Sequence, residues 1–441
     1  MDAVTPADVH RPLSPVERWF WIGGQIAPFN VIARVHLAGR LPDGVLRVAA
    51  GHLAAEHPLL QTAIRAEPDG SDPAFIRSSR HIPIRRVRGD GAAWERFVDE
   101  HELRTAIDWQ SGPLLRIAEI ICEGTPDSRD LVLTASHVIA DGTTALTLLQ
   151  RLIEHAAAGS TCLEPRPDIG APEDRLPAQY RGARGIARLA VTGAIETVAA
   201  LVCRPCRLAP ESTVHPVQRR TRLVRRTLTS TQVQRLICRC RREGVTVHGA
   251  LAAAMAMVIG PVAAGAASGR MCIGSPVDFR SELHPPVSAH EAGSYVNTMA
   301  SMVRFGQDRD LWSMARQINR SLGRRQRFGQ HLNLLWAMRF ICPASEPKSS
   351  GMFGLIERNG PLNVGISNVG RYHFATQIGD WRLSGAQFIS GVSPTGYFLA
   401  TVNTSHDQLY WNFTYTEGIV SERSARHFAD GCIRAVLNVI E

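Results

Sequence analysis

The segment "LVLTASHVIADGTTALTLLQ", residues 131–150, constrains the fold more than any other part of the chain. An apolar run ends at His137, Asp141 and Gly142 follow within five residues, and an amphipathic stretch comes directly afterwards. This order predicts a strand, a tight loop and a helix, because a short apolar run changes into a helical apolar spacing. Functional side chains are frequent on loops that rigid elements hold on both sides. The loop at His137 is therefore the first candidate site.

The surrounding sequence alternates strands and helices in the same way, which predicts a layered α/β fold. Before residue 160 the predicted elements lie at 31–38, 43–57, 57–65, 93–108, 113–121, 130–136 and 142–159. After residue 225 they lie at 230–244, 246–260, 270–280, 294–305, 311–328, 362–370, 381–390, 397–416 and 421–440. A chain of 441 residues is too long for one ordinary core. We predict an N-terminal lobe over 1–160, a linker over 161–225 and a C-terminal lobe over 226–441.

The formal charge of +9, carried mostly by arginine, favours an acidic partner. The sequence has no nucleic-acid-binding motif, so nucleic acid is not a predicted partner. The nine cysteines are scattered, and Cys203–Cys206 and Cys238–Cys240 are the pairs that suggest zinc. The second pair lies in a helical pattern, where its spacing cannot present both thiols on one face. We predict reduced thiols, no metal and a cytoplasmic protein.

Two apolar segments raise the question of a membrane, whereas the N-terminus lacks the basic-then-apolar pattern of a signal peptide. Residues 249–269 are long enough to span a bilayer, but they are rich in Ala and Gly and contain Pro261. We predict a buried core helix that ends near Pro261. Residues 185–202 form an apolar stripe with Arg181, Arg184 and Arg188 at one end. This segment is either a strap between the lobes, which we prefer, or an interfacial helix that draws a lipid-like alcohol from a membrane.

The chemistry at His137 is limited by what the sequence lacks. It has neither the GxSxG motif of a nucleophilic serine nor a nucleophilic cysteine signature. A histidine base without a protein nucleophile suits direct acyl transfer, in which the base takes a proton from an attacking hydroxyl or amine. Asp141 would lock the loop by pairing with a distant cation. The alternative is that His137 is a structural residue at a strand end.

Several motifs occur in an order that resembles a known family. They are "LSPVERWFW" at 13–21, "HPLLQTAIR" at 57–65, "IDWQSGPLLRI" at 107–117, His-x-x-x-Asp-Gly at 137–142, "GSPVDFR" at 274–280, "GSYVNTMASMV" at 293–303 and "ISNVGRY" at 366–372. The chain resembles the condensation-domain and chloramphenicol-acetyltransferase superfamily, which includes polyketide-associated and wax-ester acyltransferases. Ser136 stands where many condensation domains have a second histidine, and this departure favours a stand-alone ester or amide synthase.

The resemblance implies two chloramphenicol-acetyltransferase-like lobes in a V-shaped pseudodimer, with a tunnel between them and His137 midway. It implies that Asp141 points away from substrate and pairs with Arg280. Gly142 N–H would stabilise the oxyanion. Asn297 and Ser393 are further candidates for the oxyanion, although Asn297 alternatively lines the tunnel and Ser393 alternatively begins a turn. Three other histidines are interpreted as structural: His248, His290 and His406.

The resemblance also implies a thioester donor, on coenzyme A or on the phosphopantetheine arm of an acyl or peptidyl carrier protein, and no tightly bound cofactor. A monomer would transfer the acyl group to a small-molecule alcohol or amine in natural-product or lipid biosynthesis. An acidic carrier would dock on a basic helix face, unless that face is merely solvated: Arg316, Arg320, Arg324, Arg325 and Arg327. The rival interpretations are a non-catalytic platform that binds carrier proteins and an epimerase or cyclase with the same fold.

Overall fold

The computed structural model describes residues 9–125, 127–159, 166, 170–360 and 362–441. Within these ranges the α-helices are α1 Pro15–Ile26, α2 Val45–Glu56, α3 Ala93–Phe97, α4 Gly142–Ala158, α5 Gly182–Cys203, α6 Ser230–Arg242, α7 Val247–Ala264, α8 Leu311–Arg327, α9 Gln330–Ile341, α10 Ser350–Asn359 and α11 Glu422–Ile440. A π-helical turn, Val98–Glu102, continues α3. Short 3-10 turns lie at Pro58–Gln61, Pro172–Arg175, Ala178–Tyr180, Pro216–Gln218 and Arg280–Glu282.

The strands form two six-stranded sheets and one small sheet. They are β1 Val9–Pro12, β2 Asn30–Ala38, β3 Thr62–Arg65, β4 Ala74–Arg77, β5 Ile84–Gly89, β6 Leu115–Cys122, β7 Ser128–Ser136, β8 Thr221–Leu228, β9 Gly269–Asp278, β10 Val296–Phe305, β11 Val364–Arg371, β12 Gln377–Ile378, β13 Trp381–Ser390, β14 Phe398–Ser405 and β15 Gln408–Thr416. The N-terminal sheet has the order β12-β13-β2-β7-β6-β5, and the C-terminal sheet has the order β10-β9-β11-β14-β15-β8. The small sheet has the order β1-β4-β3. The predicted α/β class is confirmed.

The two large sheets do not follow the predicted division of the chain. Strand β13 pairs antiparallel with β2, from Arg382 opposite Ala38 to Ser390 opposite Val31, so a late segment completes the N-terminal sheet. Strand β8 lies partly inside the predicted linker 161–225 and forms the edge of the C-terminal sheet beside β15. Residues 161–165 and 167–169 of that linker lie outside the described residues. A strand from the late part of the chain therefore connects the two halves by completing the N-terminal sheet.

The helix packed on the N-terminal sheet is α4. Its predicted apolar face is confirmed, because Leu146, Leu149 and Ile153 are fully buried. They belong to a core that also contains Leu131 and Leu133 from β7. Since β7 runs directly into the loop before α4, this packing fixes both ends of the His137 loop.

The segment 249–269 forms helix α7 in the core of the C-terminal half. Residues Ala250 to Ala256 are fully buried, and α7 packs against α8 and α11. Among the described residues it is the one helix long and apolar enough to cross a membrane, and 56% of the apolar window is buried. The predicted core helix is confirmed, and it ends within one turn of Pro261. Pro261 lies in the last turn, and the helix continues to Ala264 before Gly265 ends it in the left-handed conformation.

Other predicted boundaries also differ from the structure. The strand predicted over 57–65 begins only at Thr62, because Pro58–Gln61 forms a 3-10 turn. The helix predicted over 93–108 ends with the π-helical turn at Glu102. Helices α1, α9 and α10 were not predicted, and all three contribute walls of the cavity described below.

Candidate active site

His137 is the first residue after β7 and packs against two phenylalanines. Its imidazole ring stacks on Phe20 of α1, with ring centroids 4.1 Å apart and planes within 2°. The ring of Phe29 lies 4.8 Å away at an angle of 55°. Aromatic packing of this kind favours a defined ring orientation. The imidazole is therefore positioned before any substrate binds.

The two nitrogens of His137 have different surroundings. Ser294 Oγ lies 3.3 Å from Nδ1. A contact with the backbone of His137 itself favours the protonated ring. An imidazole that donates from Nδ1 to Ser294 Oγ keeps Nε2 as its basic nitrogen. Burial lowers the pKa of His137 to about 4, although its own carbonyl and Asp141 oppose the shift. The imidazole is neutral at pH 7.

Asp141 is a buried carboxylate that organises the loop. It is the N-cap residue of α4, and its Oδ1 accepts from Thr144 N–H at 3.0 Å. Its Oδ2 accepts from Tyr295 N–H at 2.9 Å and lies 2.8 Å from Arg280 Nη2. Burial alone would raise the pKa of Asp141, but the adjacent Arg280 guanidinium holds it below its usual value. Asp141 is therefore ionised and fully engaged with the protein.

Arg280 connects two carboxylates to the start of α4. Its Nη2 donates to Asp141 and, at 2.7 Å, to Thr144 Oγ1, while Nη1 donates to Asp278. The guanidinium lies over the ring of Tyr295, 4.5 Å from the centroid. The Asp278 side chain is 43% exposed, whereas that of Asp141 is 2% exposed. Two carboxylates thus share one cation, and both line the cavity, where Asp278 is the more exposed of the two.

The loop is also braced by a segment from the other half of the chain. Ala140 forms a parallel bridge with Gly293, and Thr144 Oγ1 donates to Gly293 O at 2.9 Å. Gly293 has a φ of +143°, and a Cβ there would lie 2.6 Å from the ring of Tyr295. Only glycine fits this conformation and this close approach. The position of the His137 loop thus depends on both halves.

Gly142 begins α4 beneath an aromatic ring. A Cβ at this position would lie 2.7 Å from the ring of Phe388 in β13, so the close approach requires glycine. The first amide groups of a helix have no partner within it, and the helix dipole makes this end positive. Gly142 and Thr143 both line the cavity. Their N–H groups are candidate donors to a developing oxyanion.

His137 opens into a cavity of about 540 Å³, within the usual range for small-molecule sites. Helices α1, α9 and α10 and strands β11 and β14 supply apolar walls: Trp19, Phe20, Met338, Ile341, Met352, Phe353, Ile356, Val364, Phe398 and Leu399. Asp141 and Asp278 are the charged residues among the described residues that line it. The cavity therefore suits a largely apolar substrate beside a polar reaction centre.

The remaining candidate residues fall into two groups, those that line the cavity and those that do not. Asn297 and Ser393 line the cavity together with His137, Asp141 and Gly142, while Arg280 lies behind it. The Asn297 amide donates to His331 O at 2.9 Å. The Ser393 carbonyl accepts from Gly396 N–H, as in the turn that its sequence suggested. The three histidines interpreted as structural, His248, His290 and His406, do not line the cavity within the described part of the chain.

Sequence reasoning missed several residues at the site. Asp278 and Ser294 both lie inside motifs that were recognised, "GSPVDFR" and "GSYVNTMASMV", yet only Arg280 and Asn297 were selected from them. Phe20 lies inside the motif at 13–21. The motif positions were the available signal, but their contacts with His137 and Arg280 become visible only in the folded chain.

The described residues contain no group of three or more His, Cys, Asp or Glu side chains arranged to hold a metal ion. All eight cysteines within the described ranges are free.

Comparison with known sequences gives a family match over part of the chain. Residues 217–373 match the family model of the phthiocerol/phthiodiolone dimycocerosyl transferase C-terminus. A probable non-canonical nonribosomal peptide synthetase, CymA from Salinispora arenicola, is 28% identical over 166 residues, or 35% of this chain. The match spans only 2% of that much longer relative.

Comparison with solved structures covers almost the whole chain. The trichothecene 15-O-acetyltransferase TRI3 from Fusarium sporotrichioides has a TM-score of 0.77 at 11% identity, with all of both chains covered. Polyketide synthase associated protein 5 from Mycobacterium tuberculosis has a TM-score of 0.69 at 18% identity, covering 98% of this chain and 99% of that one. The first condensation domain of the calcium-dependent antibiotic synthetase has a TM-score of 0.72 at 14% identity, covering 98% and 96%. These structures share the fold with this chain.

Proposed function

We propose that this chain, which has the fold of the condensation-domain and chloramphenicol-acetyltransferase superfamily, is an acyltransferase. It transfers an acyl group from a thioester to the hydroxyl or amine of a second substrate, giving an ester or an amide. One observation carries the proposal: His137 is neutral, is held through Nδ1, and lies in the wall of a large apolar cavity. A positioned base beside such a cavity suits proton removal from a bound nucleophile.

The reaction proceeds in two proton-balanced steps. His137 Nε2 takes the proton of the acceptor O–H or N–H as its oxygen or nitrogen attacks the thioester carbonyl carbon. The resulting oxyanion is stabilised by N–H groups at the start of α4, of which Gly142 is the nearest to the loop. When the intermediate collapses, the C–S bond breaks and the imidazolium returns its proton to the leaving thiolate. The products are the ester or amide and a free thiol.

Asp141 and Arg280 are positioning residues in this scheme. Both carboxylate oxygens of Asp141 are occupied by Arg280 and by backbone N–H groups, so Asp141 has no free oxygen to act as the base. The pair instead fixes the start of α4 and, through Tyr295, the segment that carries Ser294. The result is a loop whose imidazole and helix N-terminus face the same cavity.

The donor is proposed to be a coenzyme A or carrier-protein thioester in natural-product biosynthesis. This rests on the resemblance to a peptide synthetase and to a polyketide-synthase-associated protein. A carrier would find arginines on the outer face of α8, where Arg316, Arg320, Arg324 and Arg327 are exposed. Arg316 also pairs with Glu243 at 3.1 Å. Carrier docking remains a proposal for this face.

The test is acceptor-dependent release of thiol. The protein is incubated with acyl thioesters of coenzyme A and of a loaded carrier, with and without an alcohol or amine, and free thiol and product mass are followed. An acyltransferase releases thiol and forms a condensed product only when the acceptor is present. Conversion of the carrier-bound group without any acceptor would instead identify an epimerase or cyclase. Carrier binding without conversion would identify a platform.

A further inference from the structure

Helix α5, Gly182–Cys203, is apolar and yet lies largely in solvent. Five of its large aliphatic side chains are more than half exposed: Ile186 (55%), Val191 (60%), Ile195 (56%), Val198 (59%) and Val202 (72%). A helix on the surface of a globular protein normally carries polar residues on its outer face. Val191, Ile195, Val198 and Val202 are spaced i, i+4, i+7 and i+11 and share one face, and an exposed apolar surface of this kind usually marks an interaction site.

One face of α5 is held by the protein. A Cβ on Gly185 would lie 2.8 Å from Trp336 Nε1 of α9, so the two helices approach closely there. Asn333 Nδ2 donates to Thr192 Oγ1 at 3.3 Å, and the Arg188 guanidinium lies 5.0 Å from the Tyr180 ring centroid. Gly185, Arg188 and Thr192 share one helical face. The role of a strap explains this face but leaves the aliphatic side chains uncovered.

The charge around α5 shows what kind of surface would cover it. Residues 181–207 contain five arginines, one glutamate and no lysine or aspartate, a formal net charge of +4. Arg181 and Arg184 are exposed at the start of the helix. A second copy packed symmetrically on this helix would bring like charges together, which is unfavourable. An anionic bilayer satisfies both features, since it accepts aliphatic side chains and attracts arginines by about 1 kcal/mol each.

Exposed apolar side chains also occur on α9 and α10, two of the helices that line the cavity. Helix α9, on which α5 packs, contributes Met338 and Ile341 to the cavity wall, and Ile341 is itself 48% exposed. Its neighbour Phe340 is 63% exposed, and Leu355 of α10 is 55% exposed. Two helices that line the cavity thus also carry exposed apolar side chains.

We propose that α5 is a membrane-association surface that binds anionic bilayers. The helix lies in the plane of the headgroups, its aliphatic side chains enter the acyl boundary, and its arginines contact anionic phosphates. This surface is independent of the reaction at His137, so its failure would leave the proposed acyl transfer untouched.

The experiment is co-sedimentation of the full chain with vesicles of phosphatidylcholine alone or with one third phosphatidylglycerol. We expect binding to the anionic vesicles at low salt and much weaker binding at high salt, because salt screens the arginines. Val198→Asp should weaken binding about tenfold, since it removes apolar area and adds a repelled charge. Val48→Asp is the matched control, because Val48 is 54% exposed on α2 and should not affect binding.

Charge-reversal variants separate the electrostatic contribution to vesicle binding from the apolar one. Arg181→Glu with Arg184→Glu should reduce binding to anionic vesicles, whereas Arg47→Glu, at an exposed position of α2, should not. Acyl transfer to a water-soluble acceptor should stay within about twofold in every variant, which shows that they are folded. Absence of vesicle binding at low salt would overturn the proposal. So would equal losses in Val198→Asp and Val48→Asp, or self-association of the chain that Val198→Asp abolishes.

Discussion

Two histidines, one in each half of the chain, occupy similar surroundings and differ in one decisive respect. His137 precedes α4 with Ser294 Oγ 3.3 Å from Nδ1, and His248 lies in the first turn of α7 with Ser275 Oγ 2.9 Å from Nε2. Burial lowers the pKa of both to about 4. His137 lines the cavity. In β9, Gly274 and Pro276 also line it, whereas Ser275 between them and its partner His248 do not. A low pKa in a partly buried histidine is therefore not sufficient evidence of catalysis.

The N-terminal ends of helices α7 and α4 are also held by different contacts. Thr246 caps α7 through its own hydroxyl, which accepts from Gly249 N–H at 3.0 Å, and its further partner is Asn319. Asp141 caps α4 and is also bound by Arg280, 139 residues away in sequence. Neutral contacts are enough to hold a structural helix start. At His137 a charged network fixes the helix start relative to the other half of the chain.

Removal of each imidazole tests most directly whether His137 and His248 have different roles. We expect His137→Ala to reduce kcat for acyl transfer by roughly 10²–10⁴, the usual contribution of a positioned base. His248→Ala should leave kcat within about threefold and lower stability by about 1–3 kcal/mol, because Ser275 loses its buried partner. Steady-state rates and urea unfolding of both variants make the measurement. A larger rate loss in His248→Ala would reverse the assignment.

The next test addresses the charged cap. Asp141→Ala should destabilise the protein by about 3–5 kcal/mol, because it leaves Arg280 with a buried charge that Asp278 alone must balance. Thr246→Ala, the matched loss at α7, should cost about 1 kcal/mol, as for an ordinary N-cap. A double-mutant cycle with Arg280→Gln measures the coupling energy directly. Coupling below about 0.5 kcal/mol would mean that the two helix starts are supported alike.

The sequence was informative where local pattern and motif agree. The strand, loop and helix at 131–158 could be predicted because the apolar run and the α4 stripe are both regular, and the core buries Leu146, Leu149 and Ile153 as expected. The predicted fold is confirmed by its similarity to solved structures of an acetyltransferase and a condensation domain. The cavity walls were harder to predict. Helix α9, for example, buries His331 and Asn333 beside Leu332 and Leu335, so its apolar pattern is interrupted.

The pairing of strands that are distant in the sequence could not be predicted from local sequence pattern. The residues of β13 form a recognisable strand, but nothing in its alternation indicates that it pairs with β2, some 350 positions earlier in the chain. Asp278 stands two residues from Arg280 in the sequence, yet the sharing of one guanidinium with Asp141 depends on the contact between the two halves. Contacts of this kind depend on tertiary structure, and the local pattern of a single sequence does not show which distant residues meet.

Gly142 offers a test of smaller effect at the same helix start. Gly142→Ala should destabilise the protein by about 1–3 kcal/mol, because the added methyl overlaps the Phe388 ring. Combining it with Phe388→Leu should recover part of that loss. The control is Gly51→Ala in α2, where a Cβ meets no atom within 4 Å. There we expect stabilisation by about 0.5–1 kcal/mol. Equal effects at Gly142 and Gly51, measured by thermal unfolding, would show that Phe388 yields easily.

The smallest expected effect comes from acid. Both histidines have a folded-state pKa below the ordinary value of 6.5, so the unfolded chain binds protons that the native chain does not. Their contribution to stability is complete above pH 6.5 and is lost as the pH falls towards 4. His248→Gln should therefore reduce the loss of stability between pH 7 and pH 5.5 by about 1 kcal/mol. Over the same range kcat/KM should change by less than about twofold in the wild type and in His248→Gln, because His137 stays neutral. A rate that falls near pH 6.5 would show that His137 titrates as a solvated imidazole, and the two histidines would then differ in burial as well as in access to the cavity.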